Sequence, residues 1–480
     1  MLTLALIVIP MLMAAAALIA GVKPARKVAL ASALVQLLLT LWAGWLWKSG
    51  QTGLLEFSQA WAPSLGMSFH LAIDGISLVL MLLSAIATPL ILWTVPENKV
   101  RNPHLFYTLA LLMIAGMNGA FMAMDGLLFY VFYELALIPI YFIILIWGSG
   151  ENKGAVTLKF FLYTLFGSLF MLLALLFVYQ HTTNGSFALT DLYAAGRSLP
   201  EWQQGLVFGG IFLAFAVKMP VFPFHTWQPS TYMAAPTAGT MLLAALMLKM
   251  ATYGIIRLIL PMVPDGVEAY KNWAIGFSVL SILYASLVAI WQRRYKLLIA
   301  YSSVAHVGLI SAGLLTANVQ AIQGGLFEMF SHGVIAIGLF FMTDILMSRI
   351  GHDDMYRMGG IRESNPQLAF LFFALVMGSV ALPFTSGFVG EFLLLAGLAQ
   401  HHVLYALAAG LTVILSAVYM LRGFQRMMLG PANSISVSFT ALTMREKAMF
   451  AIVLLLVIGL GLFPNLLLSL SENSVQLLLK

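Results

Sequence analysis

Apolar runs of 18 or more residues recur from one end of this chain to the other. Each is long enough to cross ~30 Å of hydrocarbon as a helix. The shorter segments of alternating polarity that build a membrane β-barrel do not appear. The 480-residue chain is 61% hydrophobic and only 9% charged, against about 25% charged residues in a soluble domain. Such a chain cannot hide its apolar surface in one water-soluble core, so lipid must be the solvent for much of it. The fold class that follows is an all-α polytopic membrane protein of roughly fourteen transmembrane helices between residues 1 and 470.

Charge placement sets the orientation. Loops near residues 22–27, 95–104, 148–159, 291–297, 348–365 and 422–447 hold most Lys and Arg residues, Lys99 among them. The opposite side holds only Lys48, Arg197, Lys271 and Lys480. The positive-inside rule then puts both termini outside. The first 22 residues are apolar, and the basic cluster Lys23, Arg26, Lys27 follows them, which reads as a retained helix and not a cleaved signal. This placement accounts for the net charge of +6 without nucleic acid. Cysteine is absent, so the chain cannot supply a disulfide framework, an Fe–S cluster or a thiolate metal site.

One integral membrane domain spans residues 1–480. Val217-Lys218-Met219-Pro220-Val221-Phe222 is similar to Val380-Ala381-Leu382-Pro383-Phe384-Thr385. The two patches lie an odd number of expected spans apart, which predicts inverted repeats at about 105–260 and 273–428, five helices each. Flanking helices occupy 1–94 and 447–470. Inverted repeats with broken helices are a transporter signature, and the breaks are expected at Pro220 and Pro383.

Charges within the apolar spans carry the functional signal, because each costs about 2.5–3.5 kcal/mol on insertion scales. Glu134 lies mid-span, five residues before Pro139. Lys218 precedes Pro220 and Pro223, which must interrupt a helix and free carbonyls that only protein or water can satisfy. Lys249 sits mid-span after Ala235-Pro236-Thr237. Glu391 follows the second break, in Gly387-Phe388-Val389-Gly390-Glu391. His306 and His332 lie within spans and can take and give protons near neutrality. Glu328, one turn before His332, is placed to pair with it. His225 is a candidate entrance residue near the inward mouth. Asp344 reads as a solvated cap, and Asp74 as an N-cap. Moving a carboxylate toward or away from a buried amine switches the amine between holding and releasing a proton.

No phosphate loop, dinucleotide fingerprint or HExxH motif is present. The histidines stand on separate helices without metal-ligand spacing, so no metal and no cofactor is expected in this chain. A purely structural anchor would not need four mid-membrane charges beside two helix breaks.

The segment Phe215-Ala-Val-Lys218-Met-Pro220-Val-Phe-Pro223-Phe-His225-Thr-Trp227, with Ala235-Pro236-Thr237-Ala238-Gly239, resembles the signature of the antiporter-like subunits of respiratory complex I. So do Tyr133-Glu134 with Pro139, the run Leu298–His306, and Asp74-Gly75-Ile76-Ser77. Glu391 is similar to the middle subunit, called subunit M in bacteria and subunit 4 in mitochondria, where the sister subunits usually carry Lys. The resemblance implies proton translocation as part of an NADH:quinone oxidoreductase, with NADH, FMN, Fe–S clusters and quinone in partner subunits. It implies two antiporter-like sister subunits and the lateral helix of the distal one as neighbours, in a bacterial plasma membrane. It also implies that Glu134 pairs with Lys218, that Lys249, His306 and His332 form a central axis, and that Glu391 ends it. A multi-subunit cation/proton antiporter, or a membrane-bound hydrogenase or ferredoxin-linked complex, is the alternative setting. The family's usual Pro-Asp-Ala-His is Pro229-Ser230-Thr231-Tyr232 here, which removes an acid and a histidine from the entrance loop.

Overall fold

The computed structural model describes residues 1–95 and 100–479; Lys99 and Lys480, used above for orientation, lie outside them. The helices α1 (Leu2–Ala20) and α2 (Ala25–Lys48) lead into strands β1 (Glu56–Ala62) and β2 (Met67–Ala72). Then come α3 (Gly75–Thr94), α4 (Pro103–Met122), α5 (Gly126–Trp147) and α6 (Lys153–Tyr179). A short surface helix, α7 (Leu189–Ser198), precedes α8 (Glu201–Lys218) and α9 (Gln228–Ala234). The central stretch is α10 (Thr237–Met262), α11 (Pro264–Ile290), α12 (Tyr295–Leu314) and α13 (Val319–Ile350). The chain continues as α14 (Pro366–Ser379), α15 (Ser386–His401), α16 (Val403–Leu429), α17 (Met444–Leu462) and α18 (Asn465–Leu478).

Eleven helices among the described residues are long and apolar enough to cross a membrane, or twelve if α17 and α18, bent by 63°, form one span. The expected fourteen differ from this where the helices break. The span expected at 205–223 is α8, which begins with the polar turn Glu201-Trp-Gln-Gln and stops at Lys218. The span expected at 367–398 is divided into α14 and α15.

The all-α expectation needs one correction. Residues 56–72, read as a polar connection running into the third span, form an antiparallel hairpin with a bulge at Ala60–Ala62. Its alternating apolar residues pack together, Phe69 lying edge-on to Phe57 and Trp61. Asp125 anchors the hairpin to the bundle. One carboxylate oxygen accepts from the Ser68 N–H at 3.0 Å, and the other caps α5 through the Leu127 and Leu128 N–H groups. The tight turn expected at Asp125-Gly126 is therefore also a tether.

The apolar part of α10 is wholly buried, so protein and not lipid surrounds it. Two turns of α10, Leu243–Met247 and Ile255–Ile259, are widened to π-helix. Such widening frees a backbone carbonyl from its usual partner and is frequent at functional sites.

Candidate functional site

Lys218 is the last residue of α8. Pro220 lacks an N–H and its ring blocks helix continuation. The freed Val217 carbonyl accepts from Trp227 Nε1 at 2.8 Å, so protein satisfies it, as a break inside a membrane requires. The buried Lys218 ammonium donates to the Tyr133 carbonyl at 3.0 Å and stands 3.3 Å from the centre of the Tyr133 ring. Glu134, the next residue, is half-buried and its Oε1 has no hydrogen-bond partner. No direct Glu134–Lys218 ion pair forms among the described residues; the amine is held by the Tyr133 carbonyl and ring.

His225 lies just past the break, buried between Phe222 and Tyr284, with ring centres 5.6 and 4.8 Å away. Burial, and then the Lys159 ammonium, push its imidazole below the ordinary histidine value. It is a member of an aromatic cluster. Thr231 and Tyr232, which stand where the family has Ala and His, are both buried, and Tyr232 packs on Phe340.

The second group of charges is continuous. The π-turn of α10 leaves the Ala244 carbonyl open, and Lys249 Nζ donates to it at 2.6 Å. The same ammonium donates to His332 Nδ1 at 2.8 Å. The His332 and His306 rings lie 5.7 Å apart. His306 Nδ1 is 3.1 Å from Glu391 Oε1. A cavity of about 10 Å³, room for about one water molecule, is lined by His306, His332, Glu328, Glu391, Ser302 and Ser303. Four helices, α10, α12, α13 and α15, supply this row. At Gly390, a Cβ would stand 2.7 Å from Glu328 Cβ and 2.9 Å from Glu328 Cα. Only glycine lets α15 approach α13 that closely.

Several assignments change. Glu328 does not bond to His332, whose Nδ1 is taken by Lys249. A Glu328 carboxylate oxygen instead joins His306 and Glu391, with one polar atom of each within 4.8 Å of the others. The histidines' positions on separate helices gave no sign of this grouping; the spacing of Glu328 one turn from His332 was the available signal. Asp344 is not at a helix end: α13 runs on to Ile350. Lys296, read as an inward loop charge, is buried and donates to the Ala235 carbonyl at 2.7 Å. Asp74 does cap α3, sharing reciprocal bonds with Ser77. It also pairs with Arg257 at 2.5 Å, a contact no local pattern reveals. At the second break, α14 stops at Ser379, and Ala381 and Phe384 adopt positive φ of 55° and 73° before α15 begins. Lys218 thus precedes its break and Glu391 follows the other.

Residues 123–418 match the family model described as NADH:quinone oxidoreductase/Mrp antiporter, transmembrane. The NADH-quinone oxidoreductase subunit M of Rickettsia typhi is 39% identical over 420 residues, covering 87% of this chain and 84% of the relative. A chain of respiratory complex I from Thermus thermophilus with bound NADH superposes with a TM-score of 0.89 at 31% identity, over the whole of both chains. A chain of the Mrp complex from Dietzia sp. DQ12-45-1b shares the fold, with a TM-score of 0.86 at 22% identity over 100% of this chain and 97% of that one. The chain therefore belongs to the NADH:quinone oxidoreductase/Mrp antiporter family of membrane subunits, among the antiporter-like subunits of respiratory complex I.

Proposed function

We propose that this chain is a proton-translocating membrane-arm subunit of an NADH:quinone oxidoreductase of the complex I type. The observation that carries the reading is the buried row Lys249, His332, His306, Glu391, in which neighbouring groups stand at 2.8 and 3.1 Å with the two imidazoles between. These groups exchange protons, and the row is surrounded by protein. Lys218, beside the first break, loads a proton from the inside, and the Glu134 charge next to it biases that step. His225 flanks this mouth. Glu391 passes the proton or its charge onward.

The chain has no cysteine to hold an Fe–S cluster, and under this reading NADH, FMN, the Fe–S clusters and quinone belong to partner subunits. Their redox chemistry reaches this chain as charge or conformational change. Two sister subunits and a lateral helix adjoin it in a bacterial plasma membrane, with both termini outside. The two proline breaks support a fourteen-span topology with inverted five-helix repeats.

The test is the whole complex in sealed vesicles, carrying Lys249→Met. Quinone reduction should persist at reduced rate while the proton-to-electron ratio falls. A wild-type ratio refutes the reading. Flavin and iron in the purified complex separate it from a stand-alone cation/proton antiporter.

A further inference from the structure

Glu328 is the buried acid that the row above leaves unused. It sits on α13, 2% exposed, and its Oε2 has no hydrogen-bond partner. Glu391, on α15, is also 2% exposed, and its Oε2 is likewise unpartnered. Both carboxyls line the same water-sized cavity, and one oxygen of each lies within 4.8 Å of the other and of a His306 nitrogen. A buried carboxylate kept only for packing needs donors to offset its lost hydration. Neither free oxygen has one. Two buried carboxylates this close repel each other, and one proton shared between them removes the conflict.

We propose that Glu328 and Glu391 form a single proton-holding pair, in which Glu328 is the immediate proton donor to Glu391. The proposal rests on the proton-translocating reading. In the step, the O–H bond at Glu328 breaks and an O–H bond forms at Glu391. The negative charge moves the opposite way, from α15 to α13. The cavity that both carboxyls line has room for about one water molecule to bridge the oxygens. His306, whose Nδ1 stands 3.1 Å from Glu391 Oε1, faces that charge, and His332, paired with Lys249, lies one turn further along α13. His332 is one helical turn from Glu328 on the same face of α13, so the refilled pair and the Lys249–His332 pair are adjacent stations.

The test uses the intact complex in vesicles with Glu328→Gln, Glu328→Asp and Glu391→Gln. Proton-to-electron ratio is measured together with the carboxylic acid C=O band in turnover-induced infrared difference spectra. A shared proton predicts that one acid band is lost in both Gln variants. It also predicts that both ratios fall and that Glu328→Asp restores most of the pumping. A wild-type ratio in Glu328→Gln, or an acid band lost only in Glu391→Gln, overturns the pair. Should Glu328→Gln fail to assemble, Glu328→Asp decides: a displaced band upholds the pair and an unmoved band overturns it. Lys249→Met reports on the underlying reading separately. If it abolishes pumping while Glu328→Gln pumps normally, only the pair is wrong.

Discussion

Gly390→Ala tests whether the spacing of two helices sets proton transfer. An added Cβ would meet Glu328 Cβ at 2.7 Å and Cα at 2.9 Å. Ordinary carbon contacts are about 3.5–4.0 Å, so α13 and α15 must part by roughly 0.6–1 Å. Backbone atoms are involved, so no rotamer change relieves the clash. Overpacking of this kind costs about 1–3 kcal/mol, which a large bundle survives. The consequence for the site is larger than that for stability. One oxygen of Glu328 and one of Glu391 lie within 4.8 Å of each other, and parting α13 from α15 by that amount widens this gap directly, beyond the reach of a single bridging water. The measurement is the proton-to-electron ratio of the complete complex in sealed vesicles, beside its quinone reduction rate. The ratio should fall clearly while assembly and much of the electron transfer remain. Gly397→Ala is the control. It sits two turns along the same helix, where a Cβ would meet Ala321 Cβ at 2.5 Å and Cα at 3.0 Å, and it is away from the carboxyls. If Gly390→Ala pumps at the wild-type ratio, or if both variants lose pumping equally, the argument from local spacing fails.

Two further outcomes follow from the periphery of the site. Asp74→Asn keeps a capping oxygen for α3 but removes the charge facing Arg257, whose side chain is 7% exposed against 23% for Asp74. The loss should be about 2–3 kcal/mol, between the limits for exposed and buried pairs, read as a lower thermal midpoint of the detergent-solubilised complex; an unchanged midpoint contradicts it. Burial alone would raise the Asp74 carboxyl, but Arg257 and the Ser77 N–H outweigh it and hold it below the ordinary carboxylate value. The stabilisation is therefore complete above the ordinary carboxylate range and is lost as pH falls through the depressed value. Asp74→Asn should abolish that acid-side loss. Ala381→Gly should raise the midpoint with pumping unchanged, because the φ of 55° costs alanine about 1 kcal/mol that glycine avoids; a lower midpoint would count against strain at this break.

Most of the apolar helices, the two breaks and the intramembrane charges were legible because each rests on local rules: apolar length, proline's missing donor, the cost of charge in lipid. Asp74 was legible as a cap for the same reason. What was hidden depends on neighbours far apart in the chain. Nothing near Arg257 announces that its partner lies on α3. The π-turns of α10 contain no proline, and only the packed bundle fixes them. The β-hairpin is short, and its alternation is easily taken for the edge of an apolar span. Glu328 shows the same limit most clearly. Its neighbour along α13 is His332, yet the fold turns it toward Glu391 through the gap at Gly390.

The cations inside this bundle divide by the acceptor each has been given. Arg257 is locked to a carboxylate, and an arginine cannot be deprotonated in a protein; that charge is fixed and holds helices together. The buried lysines are treated differently. Lys218 donates to the Tyr133 carbonyl, Lys249 to the Ala244 carbonyl and Lys296 to the Ala235 carbonyl. A carbonyl accepts from a neutral amine as well as from an ammonium, so it positions the nitrogen without demanding its charge. A contact carboxylate would demand it. Two of these carbonyls lie at a local irregularity: a π-turn contains Ala244, and Ala235 precedes Pro236. For Lys249 and Lys296 the backbone irregularity and the lysine's acceptor coincide. Neutral acceptors position the amines without fixing their charge, as the proposed proton transfer along this bundle requires.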